Sequence, residues 1–421
     1  MAITEQQSGG HLYDLTRPFV WLYRSFTAVN LVYKIQKRNV FGSWTNITGK
    51  IRQPREFGSL FNFYINPSEI LADELITQIR AKNEFNIRDE FSASIQFRLI
   101  LTEENVVNNL LVHEQDETLW FKAQNAYGID AAIQHEETFG KAQNEWLDVH
   151  RIRVGTSINS VKFMTNKPVI TTDMSVDDNE YIYAFNREKQ IKLKISFLSI
   201  NNSSIGSPIY SGFLVLGVNS IGIGVPNIIA QIGQSAWDAI ASNVYKIRYV
   251  LLRSDFTEVT EVGEYFLNKD KCTNERLRVY WKNRRGGVDG YTFNGELSVS
   301  LNAKSKTTKN HLGYRRSNSE NENHGDYIVH NTYGSQSRTI GSTNMVASES
   351  IQVTSRYHRQ DELRWLSEIV TSPQIWIENL QTGQLNAVYS ITRKATTKAK
   401  GKSLGQMKLS LRMSNEVMTQ R

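Results

Sequence analysis

Eight histidines, one cysteine and a cluster of acids are the residues from which hydrolytic, redox or metal-dependent chemistry would be built. The histidines His11, His113, His135, His150, His311, His324, His330 and His358 never fall into the H-E-x-x-H spacing. That spacing sets two ligands and a general base on one helical face. His135-Glu136-Glu137 carries suitable atoms in no such frame and reads as a surface triplet. A single cysteine, Cys272, excludes an intrachain disulfide framework and a Cys-rich metal site. Its expected role is that of a small buried hydrophobe. Asp177, Asp178 and Glu180 would gather a cation, but they lack the D-x-D-x-D-G order of a calcium loop and read as a solvated acidic loop. Gly401-Lys402-Ser403 ends like a phosphate-binding loop, yet Thr396 stands where its first glycine belongs. Gly222 and Gly224 lack the third glycine of a dinucleotide fingerprint and run into Pro226. The chemistry expected from these residues is none: no catalytic set, no cofactor, no metal, and hence no enzyme.

The elements that would carry such residues are mostly strands. Leu277, Val279 and Trp281 alternate with Arg276, Arg278 and Lys282, the period of a strand with one buried face. Gly286-Gly287 and Asp289-Gly290 supply turn chemistry, and a second run starts at Tyr291-Thr292-Phe293, so Cys272–Phe293 reads as a β-hairpin. The same alternation recurs at Ile95–Leu101, Ile191–Phe197, Leu297–Leu301 and Met407–Met413. Helical spacing is rarer: Ser68–Lys82, Gln360–Val370 and a short face of Ile228, Ile229, Ile232, Ala236 and Ile240. The polar stretch Lys304–Ser348 predicts a long loop or arm. The fold class expected is mainly β with a few helices (α+β): two or three antiparallel β-sandwich or barrel-like domains with long loops. Boundaries near Glu180–Lys189, after the acidic stretch Asp173–Glu180, and within Ser317–Ser350 divide the chain into 1–185, 186–316 with the hairpin, and 317–421.

Charge is local. The chain carries 49 Lys and Arg against 42 Asp and Glu, a net charge of +7. From Gln381 onward eight basic residues face Glu416 alone, and the remainder balances. Lys394, Lys398, Lys400 and Lys402 fan around an expected turn, where they would discourage strand pairing or meet phosphate or an acidic neighbour. Aromatic residues do not interleave with them, so a base-stacking groove is not expected. MAITEQQSGG has no basic segment leading into an apolar one, and no secretory signal is expected. The uncharged run Ile195–Trp237 is broken by Pro208, Pro226 and several glycines; strands and loops, not stable membrane insertion, are expected there.

The hairpin residues Cys272, Arg276, Leu277, Tyr280, Trp281, Asn283, Gly286, Gly287, Asp289, Tyr291 and Phe293 resemble a pattern in neck and tail proteins of tailed phages infecting Bacteroidetes, the crAss-like group included. Val288, where an aromatic is usual, and Arg284-Arg285 depart from it. Glu362–Glu378 (ELRWLSEIVTSPQIWIE) resembles the same family's helix, T-S-P and strand; Val388–Lys394 with Leu404–Asn415 resembles its terminal hairpin, and Tyr33–Leu71 adds weaker likeness. The resemblance implies a structural virion protein, assembled in the bacterial cytoplasm. It would form a closed homo-oligomeric ring of roughly six or twelve subunits in the neck or tail barrel. Adjacent portal, ring or tail proteins would be its partners, with non-specific contact to packaged DNA in the channel. Arg284, Arg285, Lys394, Lys398, Lys400 and Lys402 are the candidate subunit or channel contacts. The alternative is a host-surface or carbohydrate-binding tail module, which would need an exposed aromatic platform.

Overall fold

Strands form where hydrophobic residues alternate. The computed structural model describes residues 3–5, 12–15, 21–39, 42–56, 63–76, 84–90, 93–123, 126–129, 153–154, 157–158, 161–168, 170–186, 188–269, 276–309, 340–378, 384–392, 404–414 and 417–420. Its architecture is mostly β, built of several largely antiparallel sheets with short helices.

The N-terminal sheet is organised on one 14-residue strand, Ser94–Val107. Ile95, Phe97, Leu99 and Leu101 are all buried, as period-2 spacing demands of a strand over a core. Asn30–Arg38 runs antiparallel to it from Asn30↔Glu104 to Lys37↔Phe97. Ala126–Ile129 pairs on its other side, with Leu12–Asp14 parallel beyond. Trp21 stacks on Phe97 with ring centroids 5.5 Å apart at the centre of this core. Past Glu104 the spine strand runs beyond Asn30–Arg38 and, among the described residues, pairs only with Leu110–His113, through the turn residues Asn108 and Asn109 at φ 53° and 62°. Positive φ at both central positions is the tight hairpin turn for which asparagine is suited. The expected helix Ser68–Lys82 is helical over Ser68–Ala72, and its far end lies outside the described residues.

A central pair of sheets follows. One contains Val161–Phe163, Tyr181–Asn186, Gly217–Gly222 and Arg88–Asp89; the other contains Ile170–Ser175, Gly263–Asn268, Lys246–Leu252, Lys192–Leu198 and Ser204–Phe213. They share a core that includes Ile182, Ala184, Ile221, Leu193, Ile195, Leu251 and Tyr265. Tyr181–Asn186 is buried on both faces: Tyr181, Tyr183 and Phe185 join the N-terminal core, while Ile182 and Ala184 join the central one. The uncharged run thus becomes the end of strand Lys192–Leu198, two further strands and the helices Val225–Ile232 and Gln234–Ala241. Two helices replace the single face expected because Gly233, at φ 87°, breaks the spiral. Among the described residues no helix is long and apolar enough to cross a membrane.

The C-terminal sheet orders Val288–Phe293, Leu277–Lys282, Ile375–Glu378, Leu385–Ser390, Lys408–Met413, Ile340–Thr354 and Leu297–Lys309, all antiparallel. Helices Gln360–Leu366 and Glu368–Thr371, jointed at Ser367, cover its core with Leu363, Trp365, Leu366 and Ile369. Strands reach to Lys309 and resume at Ile340, so both ends of the expected arm are sheet; residues 310–339 lie outside the described ones.

Candidate functional site

The hairpin forms as its residues predict, with Trp281 and Phe293 buried in one sheet and Gly286 at φ 84° in the turn. Its burial differs from expectation. Arg278 and Lys282, assigned to a solvent face, are buried, as is all of Val288–Phe293. The reason is that the hairpin is clamped between its own helices and the central sheets. Asp289-Gly290, read as turn material, belongs to the strand opposite Trp281 and Tyr280.

Charges of opposite sign meet across that seam. Asp178 and Glu180 are buried, which corrects the expected solvated acidic loop. Arg278 reaches Glu180 directly, lies 3.5 Å from Asp178 and donates to Asn179 O at 2.9 Å. Lys167 Nζ contacts the other oxygen of Glu180 at 3.0 Å. Burial pushes the Glu180 carboxyl up, but Lys167 and Arg278 outweigh it and hold the group below its ordinary range. Burial likewise opposes the charge on Arg278, and Glu180 with Asp178 keeps it firmly protonated. Tyr280 completes this half, donating to Glu378 Oε2 at 2.9 Å.

The second half of the seam is built on the turn. Asn283 accepts backbone N–H bonds from Arg285 at 2.9 Å and Gly287 at 3.1 Å, and donates to Met164 O at 2.7 Å. A Cβ at Gly287 would lie 2.4 Å from Met164 O, so glycine is what permits this approach. Asp289 accepts from Trp365 Nε1 at 2.7 Å and from Thr165 Oγ1 at 2.9 Å. Burial, aided by the nearby Glu368, outweighs those bonds and raises its pKa to about 7. Glu368 is also raised by burial, against hydrogen bonds from Asn166 and the Arg284 backbone.

Arg284 and Arg285 are half-buried, and the Arg285 guanidinium donates to Asn166 Oδ1. They serve the chain's own seam at the positions from which contact with a neighbour was expected. Lys394, Lys398, Lys400, Lys402, Cys272 and His135–Glu137 lie outside the described residues. Sequence reasoning missed Lys167, Asp178, Glu180, Asp289 and Glu368 as one constellation. Its signal was the hairpin's alternating Arg and Lys set against an acidic run a hundred residues earlier.

What can this arrangement do chemically? Tyr291, His358 and Glu362 form a relay, with Tyr291 Oη 2.6 Å from His358 Nε2 and His358 Nδ1 3.1 Å from Glu362. All three side chains are buried, so substrate cannot reach them. Among the described residues no group of three or more His, Cys, Asp or Glu is placed to hold a metal ion. An open cleft of about 620 Å³ lies elsewhere, at the Ser94 end of the spine strand, lined in part by Lys37, Arg38, Glu74, Asp89, Ile95 and Leu216. There Lys37 pairs with Glu74, and Arg38 donates to Gln96 and Gly42 O, each at 3.2 Å. The Asp89 carboxylate has no hydrogen-bond partner among the described residues; burial and then Glu90 raise its pKa to about 7. A lone carboxylate beside paired charges is not a nucleophile–base set. No family model matches the chain, and no curated protein matches it.

Proposed function

We propose that the chain is a structural subunit of a closed ring in the neck or tail barrel of a tailed phage, joining the portal side to the tail around the DNA exit channel. One observation carries the reading: polarity is inverted between the seam and the far end of the N-terminal sheet. Charged residues are sealed where the chain's own parts meet, while Val106, Val107, Leu110, Leu111 and Val112 stand in solvent. Apolar side chains grouped this way mark a contact surface. A subunit in a repeating assembly needs both features, rigid internal joints and an uncovered face for the next copy. Trp281 and Trp365 are core residues and supply no platform for a sugar.

The test is mass and shape. The purified full chain, alone or with its neighbouring virion proteins, should give closed rings by native mass spectrometry and negative-stain microscopy. A chain that remains a monomer in both settings and binds glycan overturns the reading.

A further inference from the structure

The spine strand Ser94–Val107 begins at the cleft and ends in the exposed finger. Ser94 and Ile95 line the cleft, and Val106 and Val107 form the finger with Leu110–His113. Fourteen residues of strand span roughly 45 Å. The two features therefore sit at opposite ends of one rigid element, and a single copy cannot bring them together.

The finger is built as an insertable element. Beyond the last pair with the neighbouring strand, Asn30↔Glu104, it runs three further residues, roughly 10 Å. Its five aliphatic side chains are 48–68% exposed and belong to both faces of the hairpin. The base is pinned: buried Glu104 accepts from Asn30 at 2.7 Å and from Arg52 at 3.0 Å, with His113 at 3.4 Å. The tip, Asn105 to Val112, carries no charge.

The cleft offers an apolar edge beside charges that are already partnered, Lys37 with Glu74 and Arg38 with Gln96 and Gly42 O. Val215 and Leu216 are exposed apolar residues in its lining, and Asp89 provides an unpaired acceptor among the described residues. Asn108 and Asn109 carry amide donors at the leading edge of the finger. A lipid surface is a poorer occupant. The finger has no Trp, Tyr, Lys or Arg, and Glu114, Asp116 and Glu117 follow it, a combination that an anionic bilayer repels.

We infer that the finger of one copy inserts into the cleft of the next, a head-to-tail contact that repeats around the ring. The inference rests on the ring reading above and names its interface. A surface that fits a pocket elsewhere on the same molecule gives a heterologous contact, which closes when the rotation per subunit allows.

Cross-linking tests it. In the full chain with Cys272→Ala, Leu110→Cys and Leu216→Cys together should give a ladder of disulfide-linked multimers on mild oxidation. Mixing the two single variants should give a linked dimer, and neither alone should pass beyond dimer. Leu110→Asp with Leu111→Asp should weaken self-association at least tenfold with unchanged thermal unfolding. Leu110→Ser, a milder change, should shift it in the same direction. Rings that form without the cross-link and survive these changes overturn the interface while leaving the ring standing. A chain that stays monomeric with every neighbour overturns both. Flotation of unlinked monomers with phosphatidylglycerol vesicles, lost in Leu110→Asp, would assign the finger to lipid and also overturn the interface.

Discussion

The seam around the hairpin and the finger at the end of the spine strand are inverted versions of ordinary protein architecture. In the seam, Arg278, Glu180, Asp178 and Asp289 lie where aliphatic residues usually pack; in the finger, five aliphatic residues stand where charges usually lie. Burying a charge costs several kcal/mol and is recovered only when partners and geometry are right. The seam therefore tolerates one docking geometry and rejects near misses. The finger's aliphatic side chains leave about half or more of their surface uncovered in the isolated chain. One region spends its interactions internally, and the other keeps them free.

The comparison breaks most sharply at Arg278. Arg278→Met leaves Asp178 buried without its cation and Glu180 with Lys167 alone, and should cost about 3–5 kcal/mol in urea unfolding; a loss under 1 kcal/mol would mean that water enters the seam. Trp281→Ala should cost a similar amount, roughly 3–5 kcal/mol, through the cavity left beside Trp365, whose ring centroid is 5.1 Å away. Trp281→Phe should cost less, since the indole N–H has no acceptor among the described residues.

Next in size is Asp289. Its folded pKa of about 7 lies above the ordinary 3.8, so the native state holds the proton more tightly than the unfolded chain. Stability from this group is greatest below pH 4, declines as pH rises toward 7 and is flat above that, a change of roughly 4 kcal/mol. Glu180 acts in the opposite sense, because its lowered pKa withdraws stability as pH falls below its ordinary 4.5. Asp289→Asn keeps an acceptor for Trp365 and removes the charge. Unfolding measured at pH 5 and pH 8 should show wild type losing clearly more stability between them than the variant, whose remaining slope comes from groups such as Asp89 and Glu368. Equal slopes would show that Asp289 is already solvated.

Smaller effects sharpen the contrast. Gly286→Ala places a side chain at φ 84° and should cost about 1 kcal/mol by thermal unfolding. Leu110→Ser on the finger should stay within about 0.5 kcal/mol of wild type, since Leu110 is 68% exposed. A large loss there would place the finger in the chain's own core.

Period-2 alternation made the strands legible but left the hairpin turn open between Gly286-Gly287 and Asp289-Gly290; the chain turns at Gly286, which pairs Trp281 with Asp289. Alternation says which residues share a face; it does not say that the second face is dry. Arg278 looked solvent-facing because its partners, Asp178 and Glu180, lie about a hundred residues away, in the loop between Ile170–Ser175 and Tyr181–Asn186. Long-range ion pairs leave no local periodicity. Asp289-Gly290 has turn chemistry by composition, yet the chain had already turned at Gly286. The finger went unread for a related reason: Leu110–Val112 has the composition of a buried strand, and only its place past the end of the sheet exposes it.

The spine strand also fixes how force would travel through the molecule. A pull along Ser94–Val107 loads its ladder with Asn30–Arg38 in shear, so the bonds from Asn30↔Glu104 to Lys37↔Phe97 resist together. A pull across the turn at Asn108-Asn109 would instead peel the finger open one bond at a time. The chain is stiff along the axis joining finger to cleft and compliant across it, a strut with a preferred direction of load.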